Sequence, residues 1–589
     1  MTESSIRRVQ RPEWLAVLAC CAAASMGALL WSWQHGAMLN YGDAVAHLHI
    51  ARRVFDSHQP RLTQLGSVWL PLPHILQIPF VQVYSWWANG FAGVIPSALA
   101  YLAACAGIYR LARRWLSPAV AALALAFFAT NPNLLYLQTT AMTEPLFLCE
   151  TIWIAVWLVE WRSSLDEDTA KKSGFVSGHD LSRAASTAKT KRALAPEGSL
   201  SSVSPSIPSF SAASYQTSRL AWCIAAALIA AVFTRYDGWV MALLAWGCMG
   251  LTLARRGRLR SAAFWAASLL VVAAPVVWFI YNSSAFGDWL YFARGPYSAK
   301  AIEIQTASAG AGPPHPGWHN PWVALLFFLK AAEMDAAAAA WGNALLALSL
   351  FGTLCGWLAQ RRREFTWAML LWLPAPFYAY SVAYGSVPIF LPVWWPHSWY
   401  NTRYGMELLP ALALGLGFAA QFGVAAVREF KPIEFQPRWL KYSTTILFVI
   451  VALNAATMLR ERPLTYVEGK KNIEARRPFE ELIPPVLRAL LAQRPGGVIL
   501  MNTSVYPNLV AFTGIPLRQT INESDRELYR EALAAPAAHA AIVLAFDGDE
   551  IDRAVKAHPA GLTALRRFAA TGQPSGTIYF SGASPLQEK

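Results

Sequence analysis

Long apolar runs alternate with short polar segments along most of the chain. A bilayer-spanning helix needs about 20 apolar residues. Eleven stretches approach that length: 14–33, 91–111, 118–130, 143–159, 220–233, 239–253, 262–281, 341–358, 365–380, 408–422 and 442–459. The pattern predicts a polytopic α-helical membrane protein with about 11 transmembrane helices. The helix count stays open around 320–340, where a shorter apolar segment lies.

The pattern changes after residue 460, where short apolar runs alternate with amphipathic ones. It predicts strands at 497–501, 541–546 and 576–580 and helices at 478–493, 525–534 and 550–557. Strands that alternate with helices indicate an α/β fold. We therefore predict a transmembrane domain at 1–460 and an α/β domain at 461–589. Asp547, Asp549 and Glu550 lie between a strand and a helix, which favours helix capping over metal binding.

Basic residues cluster in alternate loops, beginning with Arg7, Arg8 and Arg11 before the first run. By the positive-inside rule, the N-terminus is cytoplasmic and the α/β domain is extracytoplasmic. Segment 35–90 then forms the first outer loop, with interfacial helices, and the Ser/Ala/Thr-rich segment 163–218 forms a disordered cytoplasmic loop.

The composition agrees with this topology. The chain is 55% hydrophobic and only 14% charged, which is typical of membrane proteins. Its net charge of +14 comes almost entirely from the part before residue 460, so nucleic-acid binding is not indicated. All seven cysteines lie within apolar runs, which argues against a disulfide framework or a zinc cluster.

Charged residues at the ends of the apolar runs are the candidate functional groups, because charges there are costly. They are Asp43, Glu144, Arg235, Asp237 and Arg403, and the predicted topology places all of them at the outer ends of their helices. Such a group suits an enzyme acting on a lipid with a phosphate head, with acids as base or metal ligands and arginines on the phosphate. Three alternatives stay open: helix anchoring by each charge, simple capping by Asp43, and a transporter, which usually binds at the bilayer midplane.

Four short motifs in this order carry a family resemblance. They are Gly42-Asp43 after the first run, Thr143-Glu144-Pro145-Leu146-Phe147, Arg235-Tyr236-Asp237-Gly238-Trp239, and Arg403-Tyr404 with Pro410 downstream. Together they resemble the GT-C superfamily of membrane glycosyltransferases. The nearest branch is the bacterial relatives of protein O-mannosyltransferases and of lipid A aminoarabinose transferases.

The resemblance implies transfer of a sugar from a polyprenyl-phosphate carrier to a glycolipid, glycan or protein acceptor, on the outer face of the bacterial plasma membrane. Asp43 would act as general base and Glu144 as a second acid. Arg235 or Arg403 would neutralise the lipid phosphate, with Asp237 and Tyr404 at the same substrate site. A lipid-linked-sugar flippase or other transporter is the alternative.

The chain departs from its relatives in two places. Asp43 is followed by Ala44, where many relatives have an acid, and the Leu70-Pro71-Leu72-Pro73 run lacks a preceding lysine. Substitutes for that lysine in phosphate binding are His47, Arg52, Arg53, Arg61 and His74. Asp43, His47 and Glu144 could bind a divalent metal ion, although no dense ligand motif requires one.

Overall fold

A computed structural model describes residues 11–189, 212–306, 313–360, 365–430, 438–504 and 506–582. Most of these residues are helical. In chain order the helices are α1 (Arg11–Gln34), α2 (Gly42–Arg53), α3 (Leu72–Val81), α4 (Tyr84–Asn89), α5 (Phe91–Ala112), α6 (Pro118–Ala129), α7 (Pro132–Leu137), α8 (Glu144–Lys189), α9 (Ala212–Thr234), α10 (Asp237–Arg255), α11 (Ala262–Phe286), α12 (Tyr291–Arg294), α13 (Ala299–Thr306), α14 (Pro321–Ala336), α15 (Gly342–Gln360), α16 (Phe365–Ala368), α17 (Pro374–Tyr384), α18 (Leu409–Phe430), α19 (Arg438–Glu461), α20 (Leu464–Gln493), α21 (Asn508–Thr513), α22 (Glu527–Ala534), α23 (Pro536–His539) and α24 (Glu550–Ala557).

Every predicted apolar run falls on a helix, with α16 and α17 sharing the run at 365–380. Among the described residues, 6 helical stretches are long and apolar enough to cross a membrane. They are Arg11–Gln34, Phe91–Ala112, Tyr215–Thr234, Asp237–Arg255, Ala262–Phe286 and the run Tyr442–Gln493. The region 320–340, where the sequence leaves the number of helices open, contains α14, a helix of 16 residues.

Glycines allow two of the apolar helices, α15 and α18, to pack with their backbones in contact. A Cβ on Gly352 would lie 1.9 Å from the carbonyl oxygen of Gly415, and one on Gly415 would lie 2.2 Å from the carbonyl oxygen of Ser349. Small residues at such crossings are typical of helices that associate in a membrane.

The first loop folds inward. Of the 12 residues of α2, 8 are buried, and α2 packs against α3, α5 and α20. Both the apolar and the polar faces of α2 find partners inside the protein, and its position at the membrane interface stays a prediction. The start of α2 is thereby held in a fixed place.

The long helix α8 extends into the segment that we expected to be disordered. It continues to Lys189, and α9 begins at Ala212. The structure therefore differs from the prediction at 163–189 and 212–218, whereas 190–211 lies outside the described residues. Near its start, this extension is supported by an ion pair one helical turn apart, Arg162 Nη1 to Asp166 Oδ1 at 2.6 Å.

The C-terminal part contains one mixed sheet of five strands: β1 (Ile499–Met501), β2 (Thr520–Ile521), β3 (Ile542–Phe546), β4 (Leu562–Phe568) and β5 (Gly576–Ser581). Their order is β2-β1-β3-β5-β4. The first three strands are parallel, and β5 runs antiparallel to β3 and β4. As predicted, Asp549 caps α24, by accepting from the backbone N–H of Asp552.

Helix α20 joins the sheet domain to the membrane helices. Polar residues three to four positions apart put one face of α20 against the segment before α2. Tyr41 OH donates to the carbonyl of Thr465 at 2.6 Å, and the Gly42 N–H donates to Asn472 Oδ1 at 2.8 Å. The boundary that we predicted at residue 460 thus falls just before a helix that contacts the candidate site.

Candidate active site

Arg403 is the centre of the charged group. Its three nitrogens contact three carboxylates from three distant parts of the chain: Nε donates to Glu144 Oε1 at 3.0 Å, Nη1 to Glu468 Oε1 at 3.0 Å, and Nη2 to Asp43 Oδ2 at 2.7 Å. The residues stand at the starts of α2 and α8, before α18 and early in α20. A guanidinium group has five N–H donors in one plane, so it can bond several carboxylates at once.

Arg235, at the end of α9, forms a second centre beside the first. Its Nη1 lies 3.5 Å from Glu144 Oε1, so Glu144 bridges the two arginines. Its Nη2 donates to Tyr378 OH at 2.7 Å and lies 3.1 Å from Glu407 Oε1, while Nε contacts Asp237 Oδ2 at 3.4 Å. The predicted residues Asp43, Glu144, Arg235, Asp237 and Arg403 therefore form one continuous network.

Aromatic rings enclose the two guanidinium groups. The ring of Tyr404 lies 5.0 Å from the guanidinium carbon of Arg235 and 5.3 Å from that of Arg403, and it stacks on Tyr378. The next residue allows close packing: a Cβ on Gly405 would lie 2.4 Å from the backbone of Ala331 in α14. Cation–π contacts of this kind hold the charged planes in place away from water.

Exposure separates Asp43 from the other acids. Its side chain is 45% exposed, whereas that of Glu144 is 1% exposed. Within the described part of the chain, only Oδ2 of Asp43 has a hydrogen-bond partner. Asp43 does not cap α2, whose N-cap is Tyr41 and which has no side-chain cap bond. Asp43 is therefore the acid of the network that a substrate can reach.

The two histidines expected at the phosphate instead bond each other. His47 Nδ1 lies 2.8 Å from His74 Nε2, and the His47 ring packs on Trp69. Burial lowers the pKa of His47 to about 4, and the positive charges of Arg403 and Arg235 add to this while Asp43 opposes it. At neutral pH His47 is uncharged, so it does not supply a cation for phosphate.

The predicted metal ligands do not form a ligand set in this arrangement. Asp43 and Glu144 both bond Arg403, and His47 bonds His74. No group of three acid, histidine or cysteine side chains able to hold a metal is found among the residues that the structure describes. Metal dependence stays a prediction.

Arg52 and Arg53 lie in α2 away from Arg403. Arg52 Nε bonds Asp56 Oδ2 at 2.7 Å, its Nη1 donates to the Val81 carbonyl at 2.8 Å, and Trp87 covers its guanidinium. Arg53 donates to the carbonyl of Gln64. The structure thus does not bring these two arginines into the network, although the sequence offered them as phosphate ligands.

Two acids of the network, Glu407 and Glu468, were missed in the sequence. Glu407 lies directly before the apolar run at 408–422, four residues after Arg403. A charged residue at the end of an apolar run is costly, so this position could have been recognised as a candidate. Glu468 lies in a polar segment rich in lysine, where one more acid carries no such signal. Only the packing of α20 onto the first loop shows its role.

No protein-family model matches the sequence, and no curated protein sequence matches it. Solved structures are similar to it. ArnT from Cupriavidus metallidurans bound to undecaprenyl phosphate superposes with a TM-score of 0.51 at 12% identity, covering 96% of this chain and 99% of ArnT. The oligosaccharyltransferase AglB from Archaeoglobus fulgidus, in complex with an inhibitory peptide and a dolichol-phosphate, gives a TM-score of 0.41 at 11% identity, covering 98% of this chain and 75% of AglB.

At such low identity the likeness to ArnT shows the fold. It extends over nearly the whole of both chains, including a C-terminal domain with a small sheet. The chain therefore has the polytopic helical fold of ArnT, with a C-terminal domain that contains a small sheet, as its sequence predicts.

Proposed function

We propose that this protein is a glycosyltransferase that moves a sugar from a polyprenyl-phosphate carrier to an acceptor hydroxyl, with Asp43 as general base. One observation carries the proposal: Arg403 bonds both Asp43 and Glu144, which are 101 positions apart in the chain, at one end of the helices. The fold supports it, and ArnT holds undecaprenyl phosphate in its structure. By the charge of its loops, the site faces the outside of a bacterial plasma membrane, with the N-terminus in the cytoplasm.

The reaction needs a base for the acceptor hydroxyl and a positive charge for the departing phosphate. The acceptor oxygen bonds to the anomeric carbon while the bond from that carbon to the phosphate oxygen breaks. The proton of the acceptor hydroxyl passes to Asp43, and the bonding electrons leave with the lipid phosphate. Arg403 and Arg235 neutralise the charge that develops there.

The pair between Asp43 and Arg403 couples these two events. Arg403 Nη2 donates to Asp43 Oδ2 and so holds the carboxylate in a fixed direction. When Asp43 accepts the proton it loses its charge, which weakens its bond to Arg403. The Nη2 hydrogen that bonded Asp43 is then available to the departing phosphate, while the other two nitrogens of Arg403 keep their carboxylates.

Glu144 and Glu468 act as positioning residues. They are buried, and each bonds a different nitrogen of Arg403, which fixes the guanidinium plane. Buried charges are retained only when they are paired in this way. No step of this proposal uses a metal ion.

Sugar transfer by wild type and Asp43→Asn tests the role of Asp43. Membranes with matched amounts of each protein are supplied with polyprenyl-phosphate-linked sugars and an envelope extract as the source of acceptor. General base catalysis contributes on the order of 100- to 10,000-fold, so the variant should lose at least about 100-fold in rate. Asp547→Asn is the control, because Asp547 is an exposed acid paired with Arg567 in the sheet domain. Equal rates for wild type and Asp43→Asn would remove Asp43 as base.

A flippase is the alternative function. A transporter would move the lipid-linked sugar across the bilayer without forming a new glycosidic bond. Translocation of the donor by wild type in liposomes, without transfer to any acceptor, would favour it. The position of the charges at one end of their helices, rather than midway along them, favours the transferase.

A further inference from the structure

The segment 388–401 is attached directly to the charged network. The Asn401 N–H donates to Glu468 Oε1 at 2.9 Å, and the Asn401 amide donates to the carbonyl of Pro388 at 2.9 Å. Phe390 and Tyr400 form a backbone bridge, with N–H to carbonyl distances of 2.9 and 3.3 Å. Glu468 also holds Arg403, so the same carboxylate fixes this segment and the catalytic arginine.

Two aromatic residues of this segment, Trp399 and Tyr400, lie next to residues that hold the start of α2 and the charged network. Lys471 lies 4.1 Å from the ring centre of Trp399, and the adjacent Asn472 accepts from the backbone N–H of Gly42, the residue before Asp43. Tyr400 precedes Asn401, whose N–H bonds Glu468, and Glu468 shares Arg403 with Asp43; Tyr400 is 45% exposed. An accessible ring, a half-exposed carboxylate and an exposed amide are therefore neighbours.

We infer that Tyr400, supported by Trp399, forms the acceptor subsite and that the acceptor presents a saccharide ring there. This inference rests on the proposed function, because the molecule bound there is taken to carry the hydroxyl that Asp43 deprotonates. The proposed function assigns the lipid phosphate to Arg403 and Arg235, so the accessible Asp43 and Tyr400 remain for the acceptor.

The chemistry of these side chains fits a sugar. One face of a pyranose ring carries C–H groups, which pack on the electron-rich face of an aromatic ring. The hydroxyl groups at its edge need hydrogen-bond partners, and Asp43, Asn472 and Lys471 offer an acceptor, an amide and a donor there. A lipid acyl chain would leave these polar groups without partners when it covered them, and this would be unfavourable.

Binding of soluble saccharides tests the subsite without any need for turnover. The full-length protein in lipid nanodiscs is titrated with methyl β-D-glucopyranoside and N,N′-diacetylchitobiose, and saturation-transfer NMR follows the C–H signals of the sugars. A Ser/Thr-containing peptide is the comparison ligand. We expect a saccharide signal for wild type and for Tyr400→Phe, which retains the ring.

Tyr400→Ala should weaken saccharide binding by about three- to tenfold, as expected for loss of one aromatic stacking contact. Tyr380→Ala is the matched control: Tyr380 is 66% exposed and lies in α17, outside segment 388–401. Its replacement should leave saccharide binding within about twofold of wild type, the error of such a titration. Tyr400→Ala removes a ring contact with Phe390 at 5.8 Å but keeps the backbone bridge, and thermal unfolding checks that the fold is retained.

Other outcomes would overturn the inference. They are no saccharide signal with wild type, a signal unchanged in Tyr400→Ala, or binding of the peptide alone. Failure of the proposed function looks different: saccharide binding would depend on Tyr400 while the transfer rate stayed independent of Asp43.

Discussion

Two arginine–carboxylate pairs of equal length lie at the two ends of α2. Arg403 Nη2 to Asp43 Oδ2 and Arg52 Nε to Asp56 Oδ2 both measure 2.7 Å. Both arginines are nearly buried, at 7% and 8% exposure. The acids differ: the Asp43 side chain is 45% exposed and the Asp56 side chain is 3% exposed.

The surroundings explain the difference. Asp56 also accepts from the backbone N–H groups of Leu517 and Arg518, at 3.2 and 3.4 Å, so it fastens the sheet domain to the first loop. Tyr84 adds contacts to the carbonyls of Ala511 and Ile515. Both carboxylate oxygens of Asp56 accept hydrogen bonds from the protein, whereas one oxygen of Asp43 remains available to a substrate. Of these two arginine–carboxylate pairs, only the one with an accessible carboxylate is a candidate substrate site.

The largest effect is expected for Arg403→Ala. Asp43 and the buried Glu468 would lose their cation, and the buried Glu144 would keep only its longer contact to Arg235, so the free energy of unfolding should fall by about 3–5 kcal/mol and transfer should fall to background. Thermal unfolding in detergent and the transfer assay measure this. Arg110→Ala is the control, since Arg110 pairs with Glu160 at a site where it is 41% exposed. Similar losses in both variants would mean that Arg403 is no more than an ordinary anchor.

Asp56→Ala should be the next most damaging. The buried guanidinium of Arg52 and two backbone N–H groups would lose their acceptor, at a cost of about 3 kcal/mol. Because the sheet domain would loosen from the first loop, we expect faster proteolysis between residues 494 and 520. Protection equal to that of wild type would show that Asp56 does not hold the domain.

A smaller effect concerns pH. Burial, followed by the charges of Arg53 and Arg52, lowers the pKa of His49 to about 3 from its ordinary 6.5. The unfolded chain therefore takes up this proton first as the pH falls, so the stability due to a neutral His49 is present above pH 6.5 and is lost towards pH 3. Between pH 7 and pH 5 the loss from His49 is about 2 kcal/mol.

His49→Phe should remove that part of the pH dependence. Both ring nitrogens of His49 lack hydrogen-bond partners among the described residues, and the ring packs on Trp87, so phenylalanine fits the same environment. The unfolding temperature of the variant should fall less than that of wild type between pH 7 and pH 5. His47 and His74 still titrate in the variant, so a weaker dependence remains. Parallel curves for both proteins would exclude His49 as a source.

The smallest expected effect is that of Tyr378→Phe. The Tyr378 hydroxyl donates to Glu407 Oε1 at 2.7 Å and accepts from Arg235, but Arg235 also contacts Glu407 directly. Loss of the hydroxyl should cost about 1 kcal/mol in stability and slow transfer only a few-fold. A loss as large as that of Arg403→Ala would mean that Tyr378 touches the substrate.

Much of this arrangement could be predicted from the sequence, because apolar runs fix the helices and costly charges mark their ends. The motifs around Asp43, Glu144, Arg235 and Arg403 follow from these two rules. These two rules do not predict the role of a residue when that role depends on which side chains the fold places around it. His47, Arg52, Arg53 and His74 have the residue types of a phosphate site. Burial lowers the pKa of both histidines, however, while Arg52 pairs with Asp56 and Arg53 donates to the Gln64 carbonyl. Glu468 is the opposite case. Nothing in its local sequence predicts a role, but the packing of α20 places it against Arg403.

The role of Asp43 is tested most directly by measuring transfer and thermal unfolding on the same purified preparation of Asp43→Asn. Because its carboxylate is accessible and its partner Arg403 keeps Glu144 and Glu468, the unfolding temperature should stay close to that of wild type. The rate of sugar transfer should fall by at least about 100-fold. A variant that transfers sugar normally but unfolds at a lower temperature would contradict this account and make Asp43 a structural anchor like Asp56.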